Sequence, residues 1–159
     1  MDSISSIAIQ GPLLNQSASC EGVLRALPGW FGIEEANLKY LRDIQGLPTF
    51  LAQENDHVIG FLTLKQHTAF ASEIHVMGVL PAVHRMGLGR ALVEAAELHL
   101  REQGIEYLQV KTLSPKHPDQ GYAKTRMFYQ AMGFRPLEEF PTLWGAANPC
   151  LQMVKFLGK

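Results

Sequence analysis

Val79-Leu80-Pro81-Ala82-Val83-His84-Arg85-Met86-Gly87-Leu88-Gly89-Arg90-Ala91-Leu92 leaves a β-rich segment, crosses a loop, and enters a helix whose first turn holds two glycines. At a helix start four backbone N–H groups lack an internal partner, and the helix dipole adds partial positive charge there. Gly87 and Gly89 leave that backbone bare, and Arg85 and Arg90 stand beside it with full charges. The stretch predicts an anion cradle for which a diphosphate is the natural ligand. A dinucleotide fingerprint would want Gly or Ala where Leu92 stands, and a phosphate loop of the Walker type needs a Gly-Lys-Ser/Thr ending that is missing. A tight strand-to-helix turn with no ligand is the remaining alternative.

Working outward, residues 87–103 carry Leu88, Ala91, Leu92, Ala95 and Leu98 as an apolar stripe, and Arg90, Glu94, Glu97 and Arg101 as a charged one. Gly104 stops that helix. Upstream, residues 49–52, 57–65 and 72–80 are β-rich and predict an antiparallel meander. Before them the spacing predicts helices over 17–27 and 34–44, and a first strand of Ile4, Ile7 and Ile9 closed by Gly11-Pro12. Downstream come a strand over 105–113, a polar loop over 114–121, a helix over 122–132, and strands over 134–138 and 150–156.

The order predicts one α/β domain of the layered α+β type spanning residues 1–159. It should hold a mixed, mostly antiparallel twisted sheet of six or seven strands flanked by about four helices. Its 159 residues bury a sizeable core without metal or disulfide. A net charge of -1 argues against bulk electrostatic binding of nucleic acid or an anionic membrane. That neutrality is a cancellation. Residues 1–80 hold four Lys and Arg against eight Asp and Glu, and residues 81–159 hold ten against seven. Cys20 and Cys150 lack the spacing of a metal knuckle or a redox pair, and no apolar run is long enough to span a bilayer. The expectation is a cytoplasmic protein, a monomer or homodimer, with no metal.

At His84-Arg85-Met86-Gly87-Leu88-Gly89 the sequence resembles the GCN5-related N-acetyltransferase (GNAT) superfamily. Its coenzyme A signature is Arg or Gln, two residues, Gly, one residue, then Gly or Ala. His84 departs from the first position. A second block, Thr125-Arg126-Met127-Phe128-Tyr129-Gln130-Ala131-Met132-Gly133-Phe134, resembles the family's Phe-Tyr-x-x-x-Gly-Phe helix. The resemblance implies acetyl-CoA as cosubstrate, bound by Val79, Arg85, Met86, Gly87, Leu88, Gly89 and Arg90. It also implies acetyl transfer to a primary amine of a small molecule, peptide or protein. It further implies that the Val79 N–H polarises the thioester carbonyl where the strand splays from its neighbour, eased by Gly78, and that the Tyr129 hydroxyl serves the departing sulfur.

Amine acetylation needs an uncharged amine, and an alkylammonium of pKa about 10.4 must first lose a proton. Glu73 is the candidate base, and by position it also matches the strand glutamate of the superfamily's histone acetyltransferases. Strict alternation puts Glu73, His75, Met77 and Val79 on one strand face and Ile74, Val76 and Gly78 on the other. His75 is therefore a rival base, and a water chain a third possibility. Neither cysteine has a histidine or lysine beside it in sequence and no Gly-x-Ser-x-Gly elbow exists, so direct attack is expected rather than an acyl-enzyme. Trp30, Phe31, Tyr40, His67 and Trp144 are candidate acceptor walls, with 143–149 a loop over them. Lys116, Lys124 and Arg126 are candidates for the coenzyme phosphates. The acidic half of the chain predicts favourable charge for a cationic amine. A non-catalytic acyl-CoA sensor and a nucleotide-binding module are the alternatives to an enzyme, and the acceptor itself is not legible.

Overall fold

The extended runs join into one seven-stranded sheet. In the computed structural model, which describes residues 7–84 and 87–158, these are β1 (Ile7–Leu13), β2 (Thr49–Glu54), β3 (His57–Gln66), β4 (Ala71–Val79), β5 (Tyr107–Leu113), β6 (Arg135–Phe140) and β7 (Cys150–Phe156). The strand order is β1-β2-β3-β4-β5-β7-β6. Every neighbouring pair is antiparallel except β4 with β5, so the predicted meander and the mixed sheet are both present. Four helices, α1 (Ser17–Arg25), α2 (Glu34–Gln45), α3 (Leu88–Glu102) and α4 (Gln120–Ala131), accompany the sheet, with a 3₁₀ turn at Pro81–Val83.

The sheet is buried on both faces, which explains why β2 and the middle of β3 read as nearly continuous apolar runs. On one face α3 and α4 cover Leu62, Leu64, Ile74, Leu108 and Met153 with Leu92, Val93, Ala96 and Tyr129. On the other, α1 and α2 cover Leu51, Phe61 and Val76 with Cys20, Val23, Leu24 and Ile44. Gly78 belongs to this second contact. A Cβ there would come 3.0 Å from Leu27 Cδ1 and 3.3 Å from Phe61 Cε1, so the missing side chain lets α1 press on β4. The splay that the resemblance implies beside Gly78 is a matter of β4 and β5, whose pairing ends at Ile74.

Three expectations change. β1 does not stop at Gly11-Pro12; it continues to Leu13, its register against β2 shifting between Gln10 and Leu13. A Cβ at Gly11 would come 2.8 Å from Phe50 Cδ2, so the glycine lets the strand run close over β2. The predicted start at Ile4 lies outside the described residues. Glu97, read as part of the charged stripe of α3, is buried, and Lys155 reaches it from β7 at 2.7 Å.

The strict alternation of β4 also fails. Thr63 pairs with Val76 but Leu64 pairs with Ile74, so His75 is an extra residue, a β-bulge. Glu73 and His75 do share the α2 face. Past the bulge the phase inverts: Val76 joins the α1–α2 core, while Met77 and Val79 pack with Ile74 against the α3 side. Among the described residues no helix is long and apolar enough to cross a membrane.

Candidate active site

β4 and β5 pair only over Ala71–Ile74 against Tyr107–Val110. Beyond that, β4 runs to Val79 beside β3 alone and β5 runs to Leu113 beside β7 alone. The strands part where the bulge at His75 has bent β4. A cavity of about 430 Å³ fills the gap and reaches both faces of the sheet. Tyr129 and Thr125 of α4 and Met77 of β4 line it, as do Trp30, Phe31 and Tyr40 from the α1–α2 side and Trp144 from the β6–β7 turn. The five acceptor-wall candidates, His67 among them, thus meet around one space.

Glu73 stands at the closed end of the gap, 6% exposed. Both of its oxygens are engaged. His67 Nε2–H donates to Oε1 at 2.6 Å, and Lys111 Nζ donates to Oε2 at 3.0 Å. With Nε2 carrying the donated proton, a neutral His67 ring keeps Nδ1 as an acceptor. His75 lines the same cavity, but its Nε2 donates to Asp43 Oδ2 of α2 at 2.8 Å. Burial pushes the Asp43 carboxyl up, yet the hydrogen bonds from His75 and Lys39 outweigh it and hold Asp43 below its ordinary range.

Tyr129 is 7% exposed, its ring edge-on to Phe134 at 5.5 Å. Burial pushes its phenol well above the ordinary range, so the hydroxyl keeps its proton. Among the described residues no group hydrogen-bonds that hydroxyl, although the ring lines the cavity. Tyr122, pushed up to about 12 by burial, instead donates its hydroxyl to Trp30 O at 3.3 Å. Thr112 Oγ1, buried on the β5 wall, likewise has no partner among the described residues. Cys20 and Cys150 are buried, which pushes their thiols up to about 12 and about 11. Neither lines the cavity as a ready thiolate.

The glycine turn opens α3 from Gly87, which has φ 76° in the left-handed region that favours glycine. Among the described residues, Ala91 N gives the first bond of the helix, at 3.0 Å from Gly87 O, and Leu88, Gly89 and Arg90 place their N–H groups in the first turn of α3. The Leu88 side chain is core, so only its backbone can serve an anion there. A Cβ at Gly89 would stand 3.2 Å from Phe128 Cζ, so this glycine sets the close approach of α3 and α4. Arg90 lies 3.6 Å from Glu94 with its side chain 56% exposed. Arg85 and Met86 lie outside the described residues.

Val79 ends β4 on the open side. Leu80 N–H bonds Ile59 O at 2.9 Å, and antiparallel alternation then turns the Val79 and Met77 N–H groups away from β3 into the gap. The Val79 carbonyl is taken by His84 Nε2–H at 2.6 Å, and the His84 ring meets Trp30 edge-on at 6.1 Å. The residue at the departing motif position is therefore a latch on the strand end. Of the phosphate candidates, Lys116 is paired to Glu139 at 2.8 Å and Arg126 donates to Leu113 O at 2.8 Å, both away from the α3 start. Lys124 is exposed.

The charge read for the acceptor side is also corrected. Among the charged residues lining the cavity, Lys65 and Lys111 stand against Glu73, so the wall has a cationic surplus before either histidine is protonated. The acidic residues of the first half lie mostly outside it. Lys65, Lys111, Tyr122 and Thr125 were not singled out from the sequence. Counting back from the hairpin between residues 66 and 72 would have set Lys65 opposite Glu73, but Lys111 needed the parallel register.

Comparison with known proteins bears on the whole region. A family model described as an acetyltransferase (GNAT) domain matches residues 45–136. An uncharacterized N-acetyltransferase of Chlorobaculum tepidum is 29% identical over 116 residues, 71% of this chain and 64% of that protein, so the chain spans less than two thirds of that relative. A crystal structure assigned to the GNAT family, from Desulfovibrio desulfuricans, superposes with TM-score 0.81 at 18% identity, covering 96% of this chain and 99% of that one. An aminoglycoside 6'-N-acetyltransferase solved with coenzyme A gives TM-score 0.74 at 16% identity, covering 96% and 98%. At those identities the two structures share the fold.

Proposed function

The chain belongs to the GNAT acetyltransferase family, and on that premise we propose that it is an acetyl-CoA-dependent N-acetyltransferase acting on a primary amine by direct attack. The observation that carries the reading is the convergence of Glu73 and Tyr129 on the one cavity where β4 leaves β5. A coenzyme-binding sensor would need the cleft and the glycine turn but neither of these side chains.

The residues fit the cosubstrate. The N–H groups in the first turn of α3, with Arg90 beside them, suit a diphosphate. The inward Val79 and Met77 amides offer hydrogen bonds to an extended arm laid along the open strand edge. Arg85 and Met86 are assigned to the same cradle from their place in the motif. When bound, an acetyl thioester supplies an electrophilic carbonyl and a thiol leaving group.

The Val79 N–H stabilises negative charge on the carbonyl oxygen as the amine nitrogen bonds to carbon. Glu73 and His67 act as a pair: the carboxylate fixes the ring, and the pair takes the proton that the attacking amine gives up. Tyr129, held neutral by burial, donates a hydrogen bond to the sulfur as the carbon–sulfur bond breaks. The products are an acetamide and a free thiol, the proton balance closing through solvent.

Release of free thiol from acetyl-CoA across amines, polyamines, aminoglycosides, amino acids and peptide N-termini tests the activity. Turnover with at least one class is expected. Coenzyme A should also raise the melting temperature, while NAD or ATP alone should not. The reverse ranking would return the glycine turn to a nucleotide-binding role.

A further inference from the structure

We propose that the acceptor is a small amine that carries its own compact anionic group, and that the Lys65 ammonium is the grip for that group. The inference rests on the acetyltransferase reading and adds the chemical class of the substrate. Lys65 on β3 lies directly opposite Glu73 on β4, the cross-strand position at which opposite charges ordinarily pair. It does not pair there. Glu73 has two lysines within its neighbourhood and takes the one from β5, Lys111 at 3.0 Å, while His67 occupies its other oxygen at 2.6 Å. Among the described residues no carboxylate is bridged to the Lys65 ammonium, although the residue lines the cavity. One carboxylate thus shares the cavity lining with two lysines, of which Lys65 is exposed.

Two consequences follow from that surplus. A bare cationic amine meets net repulsion on entering, whereas an amine whose charge is balanced by its own anion does not. The same cations favour the uncharged form of the amine nitrogen, which is the form that attacks. The remaining wall is aromatic: Trp30, Phe31, Tyr40, Tyr122 and Trp144 suit an apolar body between the two polar ends. A cavity of about 430 Å³ accommodates a molecule of amino-acid size.

Matched pairs test the proposal on the full chain. Thiol release is measured with phenylalanine against phenylalaninamide, and with phosphoethanolamine against ethanolamine, which separates a carboxylate from a phosphate as the anion. The anionic member of at least one pair should show kcat/KM about five- to tenfold higher, chiefly through KM. Lys65→Gln should erase the difference and Lys65→Arg should keep it. Equal or inverted ratios in both pairs would overturn the proposal, and so would a preference that survives Lys65→Gln. A second measurement needs no turnover. In the presence of coenzyme A, calorimetry should show N-acetylphenylalanine binding about five- to tenfold tighter than its carboxamide, with the same dependence on residue 65. Equal binding would overturn the anion grip. Absent turnover with that binding preference intact would instead remove the acetyltransferase reading and leave the grip standing. Turnover of amines that lack an anionic group, without preference, would do the opposite.

Discussion

On one face of the sheet α3 and α4 meet where Gly89 lies against Phe128, and what they offer a ligand is mostly backbone: the amides at the start of α3 and those of Met77 and Val79. On the other face α1, α2 and the turn at Leu143 and Trp144 surround the cavity with side chains from separate stretches of the chain. Backbone recognition demands close approach and tolerates little besides glycine at its tightest points. Side-chain recognition can be revised one residue at a time. The first face suits a ligand that never changes, the second a ligand that differs from one relative to the next. Glu73 and Tyr129 stand at the seam between them.

The largest expected effect is at that seam, on the acceptor side. Glu73→Gln should lower kcat by about 10²–10⁴-fold and flatten the acidic limb of the pH–rate profile, with acetyl-CoA affinity unchanged. A surviving limb would shift the base to His75, and lost coenzyme affinity would break the division between faces. Tyr129→Phe should lower kcat by about tenfold or somewhat more, with little change in either KM. Unchanged kcat would make Tyr129 a packing residue only. On the coenzyme face, Gly89→Val forces a side chain into the 3.2 Å gap before Phe128. It should cost about 1–3 kcal/mol of stability in urea unfolding and raise KM for acetyl-CoA, while leaving KM for the amine in place. Equal changes in both constants would show that the faces are coupled through α4.

The same contrast explains what could be read in advance. The structure of the α3–α4 face was legible because its signals are local: a strand, two glycines and a helix within fourteen residues, and a second block ending at Phe134. Strand β7 was legible over its full extent, residues 150–156, and α3 to within one residue at each end. The acceptor face was legible as residue types but not as partners. His67 reaches Glu73 from only six residues away across the β3–β4 connection, but Lys111 reaches it from 38 residues away, through the parallel register of β4 and β5. The bulge at His75 has no glycine or proline to announce it, and strict alternation therefore put Met77 and Val79 on the wrong face. The charge count failed for a related reason. Proximity in sequence says which half of the chain is acidic, while the cavity draws its lysines from β3 and β5 and has Glu73 as the one carboxylate among the described residues that line it.

The parting of β4 from β5 also bears on motion. The two leaves of the sheet, β1–β4 and β5–β7, share only the four parallel residue pairs from Ala71 to Ile74. Any widening or narrowing of the cleft pivots on that short ladder, with Glu73 and its two partners sitting at the hinge itself. The amides of Met77 and Val79, although central in a seven-stranded sheet, should exchange with solvent deuterium as edge-strand amides do. They are built-in reporters: a ligand laid in the gap protects them from exchange, while the amides of Gly78 and Leu80, already bonded across to β3, stay as they were.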